Sequence, residues 1–293
     1  MRNTVLCRTL MGNGHIDFSI ECLNSLIENS LHAIRLEIFE DGSLQIDDIV
    51  KIESSLKNTI VVPKKARDII ISKKLAIYKK SLEFRNCNVF SFKILDTMLY
   101  DSEDFFYVDS DVYFTQKFIF PGFEGYPIFM MDFMNGYVFK PLNFFSVDTS
   151  ILPFINAGFM HYPNKLFRLD LVESLLEKYY SKSEMGHWWA EQTLWAFLGA
   201  QTIKSYFFDA SQVVFSDHNL QLSNNTLCVH LVSPTRYQFN YVKRASFKFK
   251  SSNTHTQINI VEIKKDLSAI KYMSNWIYNK YKSVCRIVRL KVF

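Results

Sequence analysis

The segment Asp104-Phe-Phe-Tyr-Val-Asp-Ser-Asp-Val-Tyr-Phe114 sets two carboxylates, Asp109 and Asp111, inside an almost continuous apolar run. A carboxylate taken out of water without a partner is costly, so such a pair requires a cation or close hydrogen bonds. Hard oxygen donors suit Mg²⁺ or Mn²⁺, ions that complete their shells with water and substrate phosphates. In a D-x-D at a strand end, one carboxylate can ligate the ion while the other meets a ribose hydroxyl or a metal-bound water. A solvated turn after a strand is the competing reading. A third metal ligand is available in His230, within Val229-His230-Leu231 on an apolar strand. A hydrogen-bonded core histidine would look the same in sequence.

Other polar residues interrupt apolar segments. Asn156 and Gly158 lie inside Phe154-Ile-Asn-Ala-Gly-Phe-Met160. Glycine there permits close backbone approach, and Asn156 could hold a sugar hydroxyl or an acceptor; a bulge would account for the pair equally well. Glu191 and Gln192 follow Trp188-Trp189 near a helix start. They are catalytic candidates that could orient substrate hydroxyls, with Glu191 able to act as a general base. An ordinary first-turn Glu favoured by the helix dipole is the alternative. The two indoles could stack on a sugar ring or fill a core. Arg8 and Thr9, expected just after the first strand, are candidates for contact with a nucleotide base. Asp41, in Glu40-Asp41-Gly42-Ser43, could accept from a uracil imide or a ribose, although Asp-Gly-Ser also suits a tight turn.

These residues need a scaffold, and the apolar patterning supplies one. Short runs rich in β-branched and aromatic residues recur at Val5–Cys7, Leu36–Glu40, Thr59–Val62 and Phe105–Val108. Further strands are expected at Ile128–Met131, Ile155–His161, Ser205–Phe208 and Leu227–Val232. Asp17–Asn29 has one broad apolar helical face, and Lys73–Leu99 reads as a longer helical stretch broken around Arg85–Asn88. Alternating strands and helices predict an α/β, Rossmann-type domain with a mostly parallel central sheet. Ligands in such sheets bind beyond the carboxyl ends of the strands, where the polar groups above are expected to gather.

In this order the motifs resemble the nucleotide-sugar-dependent glycosyltransferases with the GT-A fold, in particular retaining bacterial sugar transferases. Tyr107-Val-Asp-Ser-Asp-Val-Tyr-Phe114 resembles their D-x-D strand, and Phe154–Met160 their Asn-small-Gly segment. Glu191-Gln192-Thr193-Leu194 resembles their acidic-Gln helix start, and Val229-His230-Leu231 their late His. The resemblance implies Asp111 as the more direct metal ligand, Asp109 nearer the ribose and metal waters, and Gly158 lining the sugar pocket. The Gly and Lys that often follow the late His are absent. Ser233-Pro-Thr-Arg236 stands there instead, with Arg236 the substitute phosphate contact. The implied activity is metal-dependent transfer of a hexose from a nucleoside diphosphate sugar, expected to be a UDP-sugar. The acceptor would be a saccharide or lipid-linked saccharide in surface glycan biosynthesis. Two rivals remain: a sugar nucleotidyltransferase, which would want basic residues close behind Gly12-Asn13-Gly14, and a non-catalytic, membrane-peripheral subunit.

Composition divides the chain. The 293 residues carry a formal net charge of +5, yet residues 241–293 hold 12 Lys/Arg against 2 Asp/Glu. The preceding 240 residues are therefore slightly acidic, which argues against nucleic acid as a partner. The expected division is a catalytic domain over 1–240 and a basic, helical extension over 241–293. Leu267–Phe293 carries six Lys/Arg and no acid among its apolar and aromatic residues. It reads either as a helix packed on the domain or as a segment lying in the headgroups of an anionic membrane. Five widely spaced cysteines with no C-x-x-C pair predict a reducing cytoplasmic setting, peripheral to the inner membrane face if the tail docks. No apolar run is long enough for a signal peptide or a membrane span.

Overall fold

The computed structural model describes residues 4–122, 125–217, 219–249, 256–264, 267–268, 270–278 and 281. Its strands are Thr4–Met11 (β1), Ala33–Glu40 (β2), Thr59–Val62 (β3), Phe106–Val108 (β4), Val112–Phe114 (β5), Phe118–Ile119 (β6) and Ile128–Met131 (β7). They continue with Ile155–His161 (β8), Tyr206–Phe208 (β9), Val213–Phe215 (β10), Cys228–His230 (β11), Thr256–Gln257 (β12) and Ile260–Glu262 (β13). The central sheet has eight strands in the order β13-β9-β7-β8-β4-β1-β2-β3. β4, β1, β2 and β3 are mutually parallel, whereas β8 runs antiparallel to both β4 and β7. A smaller sheet, β10-β11-β5, stands beside it.

β1 shows why the sheet holds. Successive residues point to opposite faces, so Val5 and Cys7 join the core with Leu23, Leu26 and Ile52 while Leu6 joins the other core with Leu175, Trp195 and Phe197. A strand covered on both faces in this way is continuously apolar, as in parallel sheets generally. The helix Ile16–Asn29 matches the expected segment closely. The stretch expected to be helical over Lys73–Leu99 is made of Lys64–Leu75, Lys79–Cys87 and two short turns, Ser91–Ile94 and Asp96–Leu99; the expected break around Arg85–Asn88 falls after Cys87, and a second one parts Leu75 from Lys79. The start at Lys64 follows Pro63, the N-cap residue, which is extended.

Two features re-aim side chains. β1 continues to Met11, so Arg8 and Thr9 lie within the strand rather than after it. In β8 the register against β7 jumps, with Phe129 opposite Met160 but Met130 opposite Asn156. The intervening Ala157-Gly158-Phe159 is thus bulged, and Gly158 O instead accepts from Asp109 N at 2.6 Å. β-Bulges commonly redirect a strand next to a functional site.

The residues after 240 are built into the domain as well as extending it. After the helix Phe239–Phe249, β12 pairs with β6, and β13 forms the edge of the central sheet beside β9. Residues 270–278 are helical. Tyr272 anchors them by donating to Phe139 O at 2.7 Å and stacking on Phe144 with ring centroids 4.2 Å apart. The rest of the expected basic segment, residues 269, 279–280 and 282–293, lies outside the described residues. Among the described residues no helix is long and apolar enough to cross a membrane.

Candidate active site

β4 ends where the Asp109-Ser110-Asp111 turn begins, closed by Val112 N donating to Asp109 O at 3.1 Å. Tyr107, two residues before Asp109, shares its face of the strand and donates its hydroxyl to Asp109 Oδ1 at 3.0 Å. Lys93, from the Ser91–Ile94 turn, places Nζ 3.1 Å from the same carboxylate. Asp111 is held from the other side. Its oxygens lie 3.0 Å from His230 Nε2 and 3.1 Å from an Arg236 guanidinium nitrogen. His230 reaches this point because β11 pairs antiparallel with β5, which sets His230 opposite Val112.

One ligand atom from each of Asp109, Asp111 and His230 falls within 4.8 Å of the others. The Nε2 of His230 is 3.6 Å from the nearer Asp109 oxygen. Donors placed about 2.1 Å from an octahedral ion stand roughly 3 Å apart when adjacent, close to the 3.0 and 3.6 Å that separate His230 Nε2 from Asp111 and Asp109. The two carboxylates suit Mn²⁺ or Mg²⁺, and the imidazole beside them is a donor that Mn²⁺ accepts more readily than the harder Mg²⁺. The electrostatics agree. Burial favours neutral imidazole, but Asp111 and Asp109 outweigh it and raise the His230 pKa. Burial would raise that of Asp111, yet His230 and Arg236 hold it below the ordinary carboxylate range. The cluster is a concentrated negative site neutralised by whatever cation is at hand.

Glu191 forms the far wall. It is 3% exposed, its Oε1 has no hydrogen-bond partner among the described residues, and Oε2 lies 3.8 Å from Lys93 Nζ. Burial pushes its pKa up to about 7, against the pull of Lys93 and with the help of Asp109. Burial would lower the Lys93 pKa, but Asp109 and Glu191 raise it above its usual value. The neighbouring Gln192 donates to Gly136 O at 2.9 Å beside Trp189. Asn156 accepts from Gly158 N at 2.8 Å and meets His230 Nδ1 at 3.1 Å. Its amide nitrogen donates to Asp132 at 3.4 Å. Burial raises the Asp132 pKa to about 6.

Thus Asp109, Asp111, His230, Arg236, Asn156 and Gly158 converge, with Glu191 linked to them through Lys93. Asp41 sits at the same sheet edge in the turn its sequence suggests, accepting from Ser43 N at 2.9 Å, with Gly42 at φ 102°. Its other oxygen faces Gly12, where a Cβ would stand 2.3 Å away. Arg8 and Thr9 do not reach the site. Arg8 is fully buried and held by Glu37 at 2.8 Å, Thr97 O at 2.6 Å and Asp101. Arg8 and Glu37 are directly opposite in the β1–β2 register, so a cross-strand ion pair replaces the expected base contact. Thr9 is equally buried. Lys93, Tyr107 and Asp132 were not among the expected site residues. The only sequence signal for Lys93 is a lone cation within the otherwise uncharged, largely apolar Phe90-Ser-Phe-Lys-Ile-Leu95.

Comparison with solved structures places the chain in a known fold. Mouse xyloside xylosyltransferase 1 in its apo form superimposes with a TM-score of 0.53 at 10% identity, covering 79% of this chain and 99% of that one. The galactosyltransferase LgtC, solved in complex with donor and acceptor sugar analogs, gives 0.52 at 12% identity, covering 85% and 97%. An active-site mutant of LgtC gives 0.52 at 11% identity, covering 83% and 96%. The chain has the GT-A glycosyltransferase fold. No protein-family model and no curated protein sequence matches it.

Proposed function

We propose that the protein is a metal-dependent glycosyltransferase that moves a hexose from a nucleoside diphosphate sugar to a saccharide or lipid-linked saccharide. The convergence of Asp109, Asp111 and His230 beyond the end of β4 carries this reading. The GT-A fold of the chain supports it. UDP is the nucleotide argued for, with Asp41 as a candidate contact to uracil or ribose.

Asp109, Asp111 and His230 would hold a divalent ion, which would supply positive charge to stabilise a diphosphate leaving group. The chain's own groups do the rest. Arg236, tied to Asp111 and one-third exposed, is placed to meet the phosphates from the outer side. Lys93 keeps the Asp109 carboxylate turned and balances Glu191. The unpartnered Glu191 Oε1 and the Gln192 amide are offered to sugar hydroxyls. With its pKa near 7, Glu191 can hold a proton or release it, and so can donate to or accept from a hydroxyl at neutral pH. Binding and orientation of donor and acceptor, rather than a covalent nucleophile, is the role argued for these residues.

The basic C-terminal segment is read as the contact with an anionic membrane surface, which suits a lipid-linked acceptor of surface glycan synthesis at the inner face. The exposed Ile270, Trp276, Ile277 and Tyr278 support it.

Calorimetric titration of UDP into wild type and Asp109→Ala/Asp111→Ala, with and without Mn²⁺, tests the site. Metal-dependent binding in wild type alone is expected. Equal, metal-independent binding by both proteins would sink it. Hydrolysis of a panel of nucleotide sugars by wild type then identifies the donor.

A further inference from the structure

A histidine ligates a metal through whichever ring nitrogen lacks a proton, and the hydrogen bond made by the other nitrogen decides which one that is. In this chain the decision can be read from Asn156. One atom of its amide lies 2.8 Å from Gly158 N and 3.1 Å from His230 Nδ1. A backbone N–H only donates, so the amide atom facing Gly158 is the oxygen. That oxygen only accepts, so the bond to His230 requires the proton on Nδ1. Nε2 is the nitrogen that faces Asp111 at 3.0 Å and Asp109 at 3.6 Å; without a metal it donates to Asp111, and when a divalent ion takes the place of that proton the ring is neutral with Nδ1–H still held by Asn156.

Asn156 is itself fixed. It is 5% exposed, and its Nδ2 donates to Asp132 Oδ2 at 3.4 Å. The Asp132 carboxylate accepts in turn from Met134 N at 3.1 Å. Gly158 completes the arrangement, because a Cβ there would stand 2.3 Å from His230 Nδ1 and 2.9 Å from Asn156 Oδ1. An amide also does this without cost in charge. A carboxylate at 156 would face Asp132 and add another negative group to a site that already holds Asp109, Asp111 and Glu191.

We infer that Asn156 is a positioning residue, which acts through Asp132–Asn156–His230 to hold the imidazole in the Nδ1–H tautomer with Nε2 presented as the metal ligand. This rests on the metal-site reading above and assigns Asn156 a place behind the ligand rather than on the sugar.

The test uses the full chain with ¹⁵N-labelled histidine. Long-range ¹H–¹⁵N correlation in the presence of diamagnetic Zn²⁺, which takes the place of the Nε2 proton, reports the tautomer. Titration of Mn²⁺ alone reports the site. Wild type should show Nδ1–H at His230. Asn156→Ala should show increased Nε2–H and bind Mn²⁺ about 10–100-fold more weakly, the usual loss for an outer partner of a ligand. Exchanging the pair, Asn156→Asp with Asp132→Asn, keeps the charge and lets the introduced carboxylate accept from Gly158, His230 and the introduced amide. It should restore the tautomer and bring affinity to within a few-fold of wild type, which a purely structural role for Asn156 would not predict. The inference is overturned if wild-type His230 carries its proton on Nε2, or if Asn156→Ala keeps both tautomer and affinity. Should that variant not fold, the wild-type tautomer and the exchanged pair decide alone. Wild type that binds no Mn²⁺ would end the metal-site reading and this inference with it. Mn²⁺ binding with the wrong tautomer would end only the inference.

Discussion

Gly158 and His230 occupy adjoining space so closely that a Cβ on Gly158 would stand 2.2 Å from Cε1 of the imidazole. The ring is 4% exposed and enclosed, so it could not yield without leaving its carboxylates. Gly158→Ala should therefore push His230 off the site. Overpacking of this kind costs about 1–3 kcal/mol, small enough for the domain to remain folded. Mn²⁺ affinity is expected to drop at least tenfold while thermal unfolding stays cooperative. Unchanged affinity would show that His230 is not a ligand.

His230 also links metal, proton and stability. Its pKa is raised in the folded chain by Asp111 and Asp109 despite the opposing effect of burial. A raised histidine adds stability that is fully present below its unfolded pKa, about 6.5, and lost as pH rises through the folded value. The metal-free protein should thus lose Tm on moving from neutral to alkaline pH. A bound ion replaces the imidazolium proton, so Mn²⁺ should bind about tenfold more tightly per pH unit until that pKa is passed. Mn²⁺ should also remove the alkaline loss of Tm. Melting curves and titrations across pH 6–9 check both, and a Kd insensitive to pH would refute the competition.

Lys93 lies between two carboxylates, 3.1 Å from Asp109 and 3.8 Å from Glu191, with its side chain 7% exposed. Removing one partner of a buried pair costs about 3–5 kcal/mol because the other charge is stranded. Lys93→Met should destabilise the metal-free protein by that order in urea unfolding. Adding Glu191→Gln should recover about 1 kcal/mol or more, within the usual coupling of contacting groups. Glu191 is independently legible by pH. Burial raises it from 4.5 to about 7, so the folded chain holds the proton more tightly and stability falls as pH rises across that interval. The shift corresponds to roughly 3 kcal/mol, and Glu191→Gln should flatten that part of the profile. A profile that Glu191→Gln leaves unaltered would exclude the residue as its source.

The scaffold was readable in sequence because parallel strands covered on both faces must be apolar runs, and each expected run became a strand. Asp109, Asp111 and His230 were readable because charge inside such runs demands a reason. Lys93 was not, since a single lysine on a short helical stretch ordinarily lays its stem on the surface and keeps its ammonium in water. Arg8 was misplaced for a related reason. Arg8-Thr9 interrupts the apolar run after Cys7 and looks like a strand end, and nothing local shows that Glu37, 29 residues away, waits opposite it. The contact of Asn156 with His230 spans 74 residues and rests on a bulge that brings Gly158 beneath the ring. Motif order brought the two residues to notice, but only tertiary geometry shows which atom faces which.

The membrane reading of the C-terminal segment yields a separable expectation. Tyr272 pins the helical residues 270–278 to the domain, whereas Ile270 and Ile277, seven residues apart and so on one helical face, are 71% and 56% exposed. Full-length protein should sediment with vesicles containing anionic lipid and remain in the supernatant with zwitterionic ones. Ile270→Asp/Ile277→Asp should cut the partition coefficient at least tenfold, since each buried isoleucine contributes about 1.5–3 kcal/mol. UDP binding by that variant should match wild type. A wild-type protein indifferent to anionic lipid would leave the tail as packing alone.

Arg8 offers the sharpest separation of structure from chemistry. Its guanidinium is enclosed by Glu37, Asp101 and Thr97 O and lies 4.5 Å from the centre of the Phe105 ring, so no face is left for a nucleotide base. Replacing it by Met keeps much of the volume but strands Glu37, whose side chain is 9% exposed. The cost should be about 3–5 kcal/mol in urea unfolding, in line with other broken buried pairs. Arg8→Met/Glu37→Leu should recover much of that loss, because a buried ion pair replaced by apolar groups is often neutral. UDP affinity of the folded fraction should remain within twofold of wild type in both variants. A loss of UDP binding of tenfold or more at unchanged stability would instead return Arg8 to the nucleotide site, and would require β1 to open in the bound state.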